Sequence, residues 1–366
     1  MLGSLNSSTR HDDEAKEKRC PFRSRELEPE PLNGTMLLAD PPQHTKMRGP
    51  FVPEFRMERL RSYHEKLESM ANSLFQLPHG PTSLDLISEF VEPFTAMLTA
   101  DFLGISVELI TQLQMWTREY VDRGFIFGPG PVTSKTRSAV RNLRGEIRRT
   151  LKRVHEHPGS DLLSRLRPVF AARRGSELTE RQLVGATLQM IGGGFQTTKH
   201  SIGNSLLALI QHREALAELA ADKSLISTAT EEFLRYDGAS QAVGRFIKSQ
   251  VELSGVVIPK SGFLRLALGS ANRDPAEFPD PDAINVRRCP NRHVGFGNGP
   301  HYCLGANLVR LATQAAIKAL LRRIRGLTIV TREIVRDPTT TLRGLRRLQV
   351  EFVKNPQIIA SMSRMT

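Results

Sequence analysis

Apolar side chains recur at three- and four-residue steps through most of the first 236 residues of this 366-residue chain. In the segment 51–76, Leu60, Tyr63 and Leu67 follow that spacing, which is the period of one face of a helix. The same spacing predicts helices at 83–100, 106–122, 135–156, 160–172, 179–210, 213–221, 225–236 and 304–324. A chain patterned in this way is predicted to build a mainly helical core.

Short strand-like runs begin only after residue 250. They cover 251–253, 256–258 and 263–268, with two more near 327–330 and 348–353, and Gly and Pro separate several of them. We therefore predict a mainly α fold with a minor β-sheet portion. No linker divides the chain, so 1–366 is predicted to be a single domain in which 1–39 form a short N-terminal segment of weak periodicity.

The composition excludes several classes of protein. The net charge is +13, but no zinc spacing, basic-aromatic strand signature or heptad repeat accompanies the basic clusters, so we expect an acidic protein partner and no nucleic acid. No run of 18 apolar residues predicts a membrane span. The three cysteines, Cys20, Cys289 and Cys303, exclude a disulfide scaffold, and with no signal peptide in sight they favour the cytoplasm.

The most informative segment is the loop Phe296-Gly-Asn-Gly-Pro-His-Tyr-Cys-Leu-Gly305. Gly297 and Gly299 allow a tight turn with free N–H groups, and Cys303 stands at the start of a predicted helix. The helix dipole favours a thiolate there, which would suit an anionic metal ligand. Three alternatives are open for Cys303. A lone cysteine is more often a small buried hydrophobic residue, and a zinc site would need nearby partner ligands. A catalytic thiol would need an oriented base, for which His301 is the nearest candidate.

The pattern Phe-Gly-x-Gly-x-x-x-Cys-x-Gly, followed by a helix, resembles the haem-binding loop of the cytochrome P450 family. The resemblance extends from about Asp40 to Val353. It implies the cytochrome P450 fold and haem b as cofactor, with Cys303 as axial ligand of the iron and Phe296, Gly297 and Gly305 against the haem. It also implies more residues before Asp40 than 1–39 supply, so we expect a missing N-terminal part or a more open substrate pocket.

Other segments carry the same resemblance in the expected order. Glu232-Phe-Leu-Arg235 resembles the family's Glu-x-x-Arg helix, and Arg288 is the matching third residue of that buried structural cluster. His44 and Arg48 are four residues apart, so both project from one helix face and would suit two haem propionates. The resemblance adds further expected propionate contacts at Arg245, His293 and His301.

Residues 191–198 resemble the middle of the family's long oxygen-side helix. Gly193 and Gly194 would open a groove beside the haem, and Thr197 occupies the position of the oxygen-activating threonine. The family's acid position holds Gln196, which cannot titrate. Two hypotheses follow: Gln196 and Thr197 organise water that supplies protons, or the enzyme favours oxidative coupling or desaturation without oxygen insertion.

The resemblance therefore implies a haem-thiolate oxidase or monooxygenase that uses O2 and two electrons from a ferredoxin. The ferredoxin is expected on a basic proximal face formed by Lys318, Arg322, Arg323 and Arg325. The substrate is expected to be a medium-to-large, mostly neutral organic molecule of the secondary-metabolite type. Its expected contacts are Phe125, Phe127, Phe195, Ala242 and Leu342. The alternatives are a haem-binding sensor or carrier without turnover and, less favoured, a nucleic-acid binder.

Overall fold

The computed structural model describes residues 5–6, 35–37, 39–75, 83–111, 134–171, 179–330, 334–337 and 341–354. The described chain is mostly helical, which confirms the predicted fold class. The helices are α1 Gln43–Arg48, α2 Met57–Leu74, α3 Glu92–Leu103, α4 Ser134–Glu156, α5 Leu162–Ala171, α6 Glu180–Gln211, α7 Arg213–Ala221, α8 Ile226–Tyr236, α9 Leu268–Ala271 and α10 Ala306–Arg323. A 3-10 helix, Gly49–Phe55, joins α1 to α2, and a π-helical segment, Leu86–Val91, leads into α3.

The strands form three small antiparallel sheets. They are β1 Leu5–Asn6, β2 Ser83–Asp85, β3 Val243–Ile247, β4 Val251–Leu253, β5 Val256–Ile258, β6 Phe263–Leu266, β7 Ile324–Ile329 and β8 Gln349–Lys354. The strand orders are β1-β3-β6, β2-β8-β7 and β4-β5. In the first sheet Arg245 lies opposite Leu264, so β3 fixes the position of a predicted site residue.

The core surrounds the 32-residue helix α6. Thr179 caps this helix: its hydroxyl accepts from the Gln182 N–H, while the Gln182 side chain accepts from the Thr179 N–H. Helices α3, α4, α8 and α10 pack against α6, and α10 also packs against α2 and α8. The helix that follows Cys303 is thereby fixed against three other helices.

The structure differs from the sequence prediction at strands β2 and β3. The predicted helix at 83–100 begins as strand β2, because Ser83, Leu84 and Asp85 pair with Glu351, Val350 and Gln349 far along the chain. Strand β3 was not predicted, because its pairing with β6 outweighs the weak strand pattern of 243–247. Most of the predicted helix at 106–122 lies outside the described residues. No described helix is long and apolar enough to cross a membrane.

Candidate functional site

Cys303 lies directly before α10 at the end of a loop that folds back on itself. Its N–H donates to the carbonyl of Phe296 at 2.9 Å. The turn has φ of +73° at Gly297 and +76° at Gly299, a conformation that glycine adopts without steric cost. The Asn298 side chain accepts from the Gly299 N–H at 2.7 Å and fixes the turn. The sulfur is therefore held at the N-terminal end of an 18-residue helix.

Burial and the nearby polar groups have opposite effects on the pKa of Cys303. Burial raises the pKa of the thiol, whereas the N–H groups of Gly305 and Ala306 and the positive charges of Arg48 and Arg310 lower it. Because burial dominates, a further positive charge at the sulfur would be needed to favour the thiolate. The arrangement suits an anionic sulfur bound to a metal centre, and the described residues contain no group of three His, Cys, Asp or Glu that could hold a metal by themselves.

Four basic side chains from α1, β3 and the loop itself meet beside Cys303. The rings of His44 and His301 lie 4.1 Å apart, centroid to centroid. Arg48, one turn after His44 on α1, donates from Nη2 to the carbonyl of Tyr302 at 2.6 Å. Arg245 on β3 acts electrostatically on His301, as does Arg48. The structure thus brings together four of the five predicted propionate contacts.

These four groups repel further positive charge. Burial, with the charges of His44, Arg245 and Arg48, lowers the pKa of His301 to about 4. Burial and Arg48 lower the pKa of His44, and burial lowers the pKa of Arg245, while Asp40 acts in the opposite direction on both. Asp40 offsets only part of the charge, so the cluster formed by His44, Arg48, Arg245 and His301 favours an anionic ligand.

His293 lies in a different cluster. The N–H of Gly295 donates to its Nδ1 at 3.1 Å, so the ring proton lies on Nε2, which is 3.1 Å from Glu231 Oε2. Arg310 binds the same carboxylate through Nε at 2.7 Å and Nη2 at 2.9 Å, and its guanidinium lies 4.7 Å from the Phe296 ring. Sequence reasoning did not find Glu231 and Arg310, although Arg310 follows Cys303 by only seven residues and lies near the start of the predicted helix.

The predicted structural cluster is buried at its centre, while the Arg288 side chain is 10% exposed. Glu232 and Arg235 each have 0% of the side chain exposed, and their bidentate contacts are both 2.8 Å long. Arg288 Nε lies 3.1 Å from the Glu232 carboxylate, which also accepts from the Asn285 N–H at 2.9 Å and from the Asn291 amide at 3.0 Å. This cluster joins α8 to the segment that precedes the Cys303 loop.

The predicted oxygen-side residues lie in the middle of α6. Gln196 is buried, while Thr197 is partly exposed and donates from its hydroxyl to the carbonyl of Gly193. A Cβ atom built on Gly193 or Gly194 would meet no other atom within 4 Å, so this side of the helix borders open space. The helix therefore leaves room for a large ligand next to Thr197.

The predicted substrate residues have different surroundings. Phe195 belongs to the buried hydrophobic core, and Ala242 is buried directly before β3. Leu342 is partly exposed and forms an antiparallel bridge with Ser240. Phe125 and Phe127 lie outside the described residues.

Comparison with known proteins places this site in a family. The Cytochrome P450 family model matches residues 129–343. The chain is 33% identical over 328 residues to the cytochrome P450 monooxygenase PikC of Streptomyces venezuelae, an alignment that covers 88% of this chain and 76% of that protein. It is 32% identical over 322 residues to the polyketide biosynthesis cytochrome P450 PksS of Bacillus subtilis (strain 168), covering 87% of this chain and 78% of that protein.

A solved structure agrees with this likeness. The crystal structure of P450BioI in complex with an acyl carrier protein ligated to hexadec-9Z-enoic acid aligns with a TM-score of 0.84 and 29% sequence identity. The alignment covers 92% of this chain and 87% of that chain. The fold of this chain is therefore that of these relatives.

Proposed function

Because the chain belongs to the cytochrome P450 family, we propose that it is a haem-thiolate monooxygenase that holds haem b on Cys303. The proposed substrate is a medium-to-large, mostly neutral organic molecule. The observation that carries the proposal is the placement of a single cysteine at a helix N-terminus beside a cluster of four basic side chains.

The described residues fit haem b. His44 is buried, with only 3% of its surface exposed, and its Nε2 has no hydrogen-bond partner among the described residues. A buried polar atom without a partner is costly, and a propionate oxygen would satisfy this nitrogen in its protonated form. Arg48, Arg245 and His301 would bind the propionates with it, and Cys303 would ligate the iron. Open space at Gly193 and Gly194 leaves room for the porphyrin.

When bound, haem b supplies an iron that a thiolate ligand makes electron-rich, which favours cleavage of the O–O bond. The chain supplies proton control on the side of α6. The Thr197 hydroxyl can accept a hydrogen bond while it donates to Gly193, and the Gln196 amide can both donate and accept. Gln196 cannot titrate, so it cannot pass on a proton itself. We therefore propose that Gln196 and Thr197 hold water molecules through which protons arrive from solvent.

The proposed substrate walls are Phe195, Ala242 and Leu342, which are apolar and lie on or near α6 and β3. None of these three side chains is charged, which supports a mostly neutral molecule. The name of PksS, a polyketide biosynthesis protein, supports a secondary metabolite as the substrate class. Oxidation without oxygen insertion, by coupling or desaturation, is the other proposed outcome of the same site.

The proposed electron donor is an acidic ferredoxin that docks on the α2–α10 surface, defined by Lys318 and Arg322. Lys318 Nζ lies 2.7 Å from Glu68 Oε1, and Arg322 Nη2 lies 3.2 Å from Glu68 Oε2, so one carboxylate holds two cations in place. Reversing both to Glu should slow reduction by ferredoxin and weaken its salt dependence. The matched control is Arg148→Glu with Lys152→Glu on α4, which changes the net charge equally; equal slowing in both double variants would refute the docking site.

The decisive experiment compares hemin-loaded wild type with Cys303→Ser. The reduced, carbon-monoxide-treated wild type should show the long-wavelength absorption band of thiolate-ligated haem, and the variant should lose it. A wild type that binds no hemin, or two identical spectra, would overturn the proposal. With a surrogate ferredoxin system, substrate-dependent NADPH consumption should then follow, whereas none with any of a panel of polyketides, steroids and fatty acids would indicate a haem-binding protein without turnover.

A further inference from the structure

Helix α6 carries several buried polar side chains in the two turns that follow Thr197, and three of them contact other parts of the chain. Lys199 is 5% exposed, His200 3% and Asn204 0%. Burying such groups is unfavourable unless each finds a partner, so their partners show what they hold. Apart from Glu92, whose carboxylate lies 3.1 Å from Lys199 Nζ, those partners lie in the segments 237–242 and 334–346.

Asn204 joins three parts of the chain. Its amide nitrogen donates to the carbonyls of Asp237 and Arg343, both at 2.9 Å. Its amide oxygen accepts from Arg336 Nη1 at 3.2 Å. Arg336 and Arg343 in turn both bind the Asp237 carboxylate at 2.8 Å. A single side chain therefore ties α6 to the end of α8 and to the segment 341–345.

Asp337 connects a second point of α6, His200, which lies one turn before Asn204. Its carboxylate lies 3.5 Å from His200 Nε2, 4.0 Å from Lys199 Nζ and 3.1 Å from Arg346 Nε. Its N–H donates to the carbonyl of Gly344 at 2.9 Å. A Cβ atom on Gly344 would overlap the His200 ring, so the backbone at Gly344 lies directly on that ring.

The two segments that these residues hold are also bonded to each other. The Gln241 N–H donates to the Thr341 carbonyl at 2.9 Å, and the Arg343 N–H donates to the Ala239 carbonyl at 2.8 Å. The bridge between Ser240 and Leu342 lies between these bonds. Residues 239–242 and 341–343 therefore form a pair of antiparallel segments joined by backbone hydrogen bonds, which we call the wall.

We propose that Asn204 and Asp337 are positioning residues that hold this wall rigidly against α6 and so set which bulky ligands fit the pocket. The inference rests on the proposed function in one respect, because Ala242 and Leu342, two of the proposed substrate contacts, belong to the wall. Neither residue touches the reacting atoms. Their effect should be on the shape and stiffness of the wall rather than on iron ligation.

Amide hydrogen exchange tests the rigidity without any substrate. In wild type, peptides covering 239–242 and 341–345 should be protected to a degree close to that of α8. Asn204→Ala should speed their exchange at least tenfold. The matched control is Ser205→Ala, at a fully buried neighbouring position whose hydroxyl bonds only within α6, to the Ser201 carbonyl at 2.7 Å. It should leave the wall peptides unchanged.

Azole titration of the hemin-loaded protein tests the pocket. Imidazole is small and binds through the iron alone, whereas the bulky clotrimazole must also fit against the wall. Asn204→Ala should therefore change the clotrimazole Kd at least fivefold and the imidazole Kd less than twofold. Asp337→Asn is the second variant and should act in the same way. Equal changes for both azoles, no change for clotrimazole, or wild-type wall peptides that exchange like unstructured chain would overturn the inference. If no hemin binds, the proposed function fails, and hydrogen exchange alone still decides whether the wall is held.

Discussion

Glu232→Gln should be among the most destabilising single changes in this chain. The native carboxylate binds Arg235 through two 2.8 Å contacts and Arg288 through one of 3.1 Å, and the Glu232 and Arg235 side chains have no exposed surface. Glutamine has nearly the same shape but no charge, so both guanidinium groups would lose their counter-ion in a buried site. Removing one partner of a buried pair costs about 3–5 kcal/mol.

The loss would be a large fraction of the stability of an ordinary domain, which is about 5–15 kcal/mol. Replacing both Glu232 and Arg235 by Leu should not restore it. Arg235 also donates to the carbonyls of Asn272, Pro281 and Ala283 at 2.9, 2.8 and 3.0 Å, and each carbonyl left without a partner costs about 1–3 kcal/mol. An apolar pair would leave all three unbonded.

The assay is urea unfolding followed by circular dichroism. The matched control is Glu218→Gln, which breaks the 2.9 Å pair between Glu218 and Arg287, whose side chains are 44% and 59% exposed. Such a surface pair contributes about 0–1 kcal/mol. If Glu232→Gln loses no more stability than Glu218→Gln, or if the double Leu variant regains wild-type stability, the account of the buried cluster is wrong.

Two further changes test the site itself. Burial and nearby cations lower the pKa of His301 from 6.5 to about 4, so the folded chain takes up fewer protons than the unfolded chain between those pH values, and stability should fall as the pH is lowered through that window. His301→Phe should flatten part of this slope in haem-free protein, and an unchanged slope would contradict the assignment. Thr197→Val should raise the peroxide yield per NADPH several-fold at a similar haem content, and unchanged coupling of NADPH to product would remove the role given to its hydroxyl.

Local pattern was enough to predict most helices. Arg213–Ala221 was predicted to the residue, and the predicted 135–156 and 225–236 each differ from α4 and α8 by one residue at the start. These helices carry a regular apolar stripe, which needs no distant partner to be recognised. Strand β2 was missed because its partner, β8, lies at the other end of the chain and only the fold brings the two together.

Those parts of the site that lie within short sequence motifs could be predicted. The Cys303 loop and the Glu232–Arg235 spacing are local, so their positions follow from sequence. The partner of His293 is not local: whether it faces a propionate or Glu231 depends on how α8 packs beside the loop. For the same reason the sequence gives no sign that Lys199 contacts Glu92, at 3.1 Å, rather than solvent.

The cluster formed by His44, Arg48, Arg245 and His301 leads to the last prediction. Its side chains come from two positions of α1, one of β3 and one of the cysteine loop, and Asp40 only partly offsets their effect on one another. If haem propionates complete this cluster, binding should depend on their negative charge and not only on the porphyrin ring. Hemin dimethyl ester keeps the ring and iron but has no carboxylates.

The ester should therefore bind much more weakly than hemin. A hydrogen bond to a charged group contributes about 1.5–3 kcal/mol, so losing two carboxylates should cost about 3–6 kcal/mol, or at least a hundredfold in Kd. Hemin should also raise the pKa of His301, because propionates favour its charged form, and loaded protein should keep its stability as the pH falls toward 5. Absorption titrations with hemin and its ester measure the first effect. Equal affinity for both would show that the cluster does not bind the propionates.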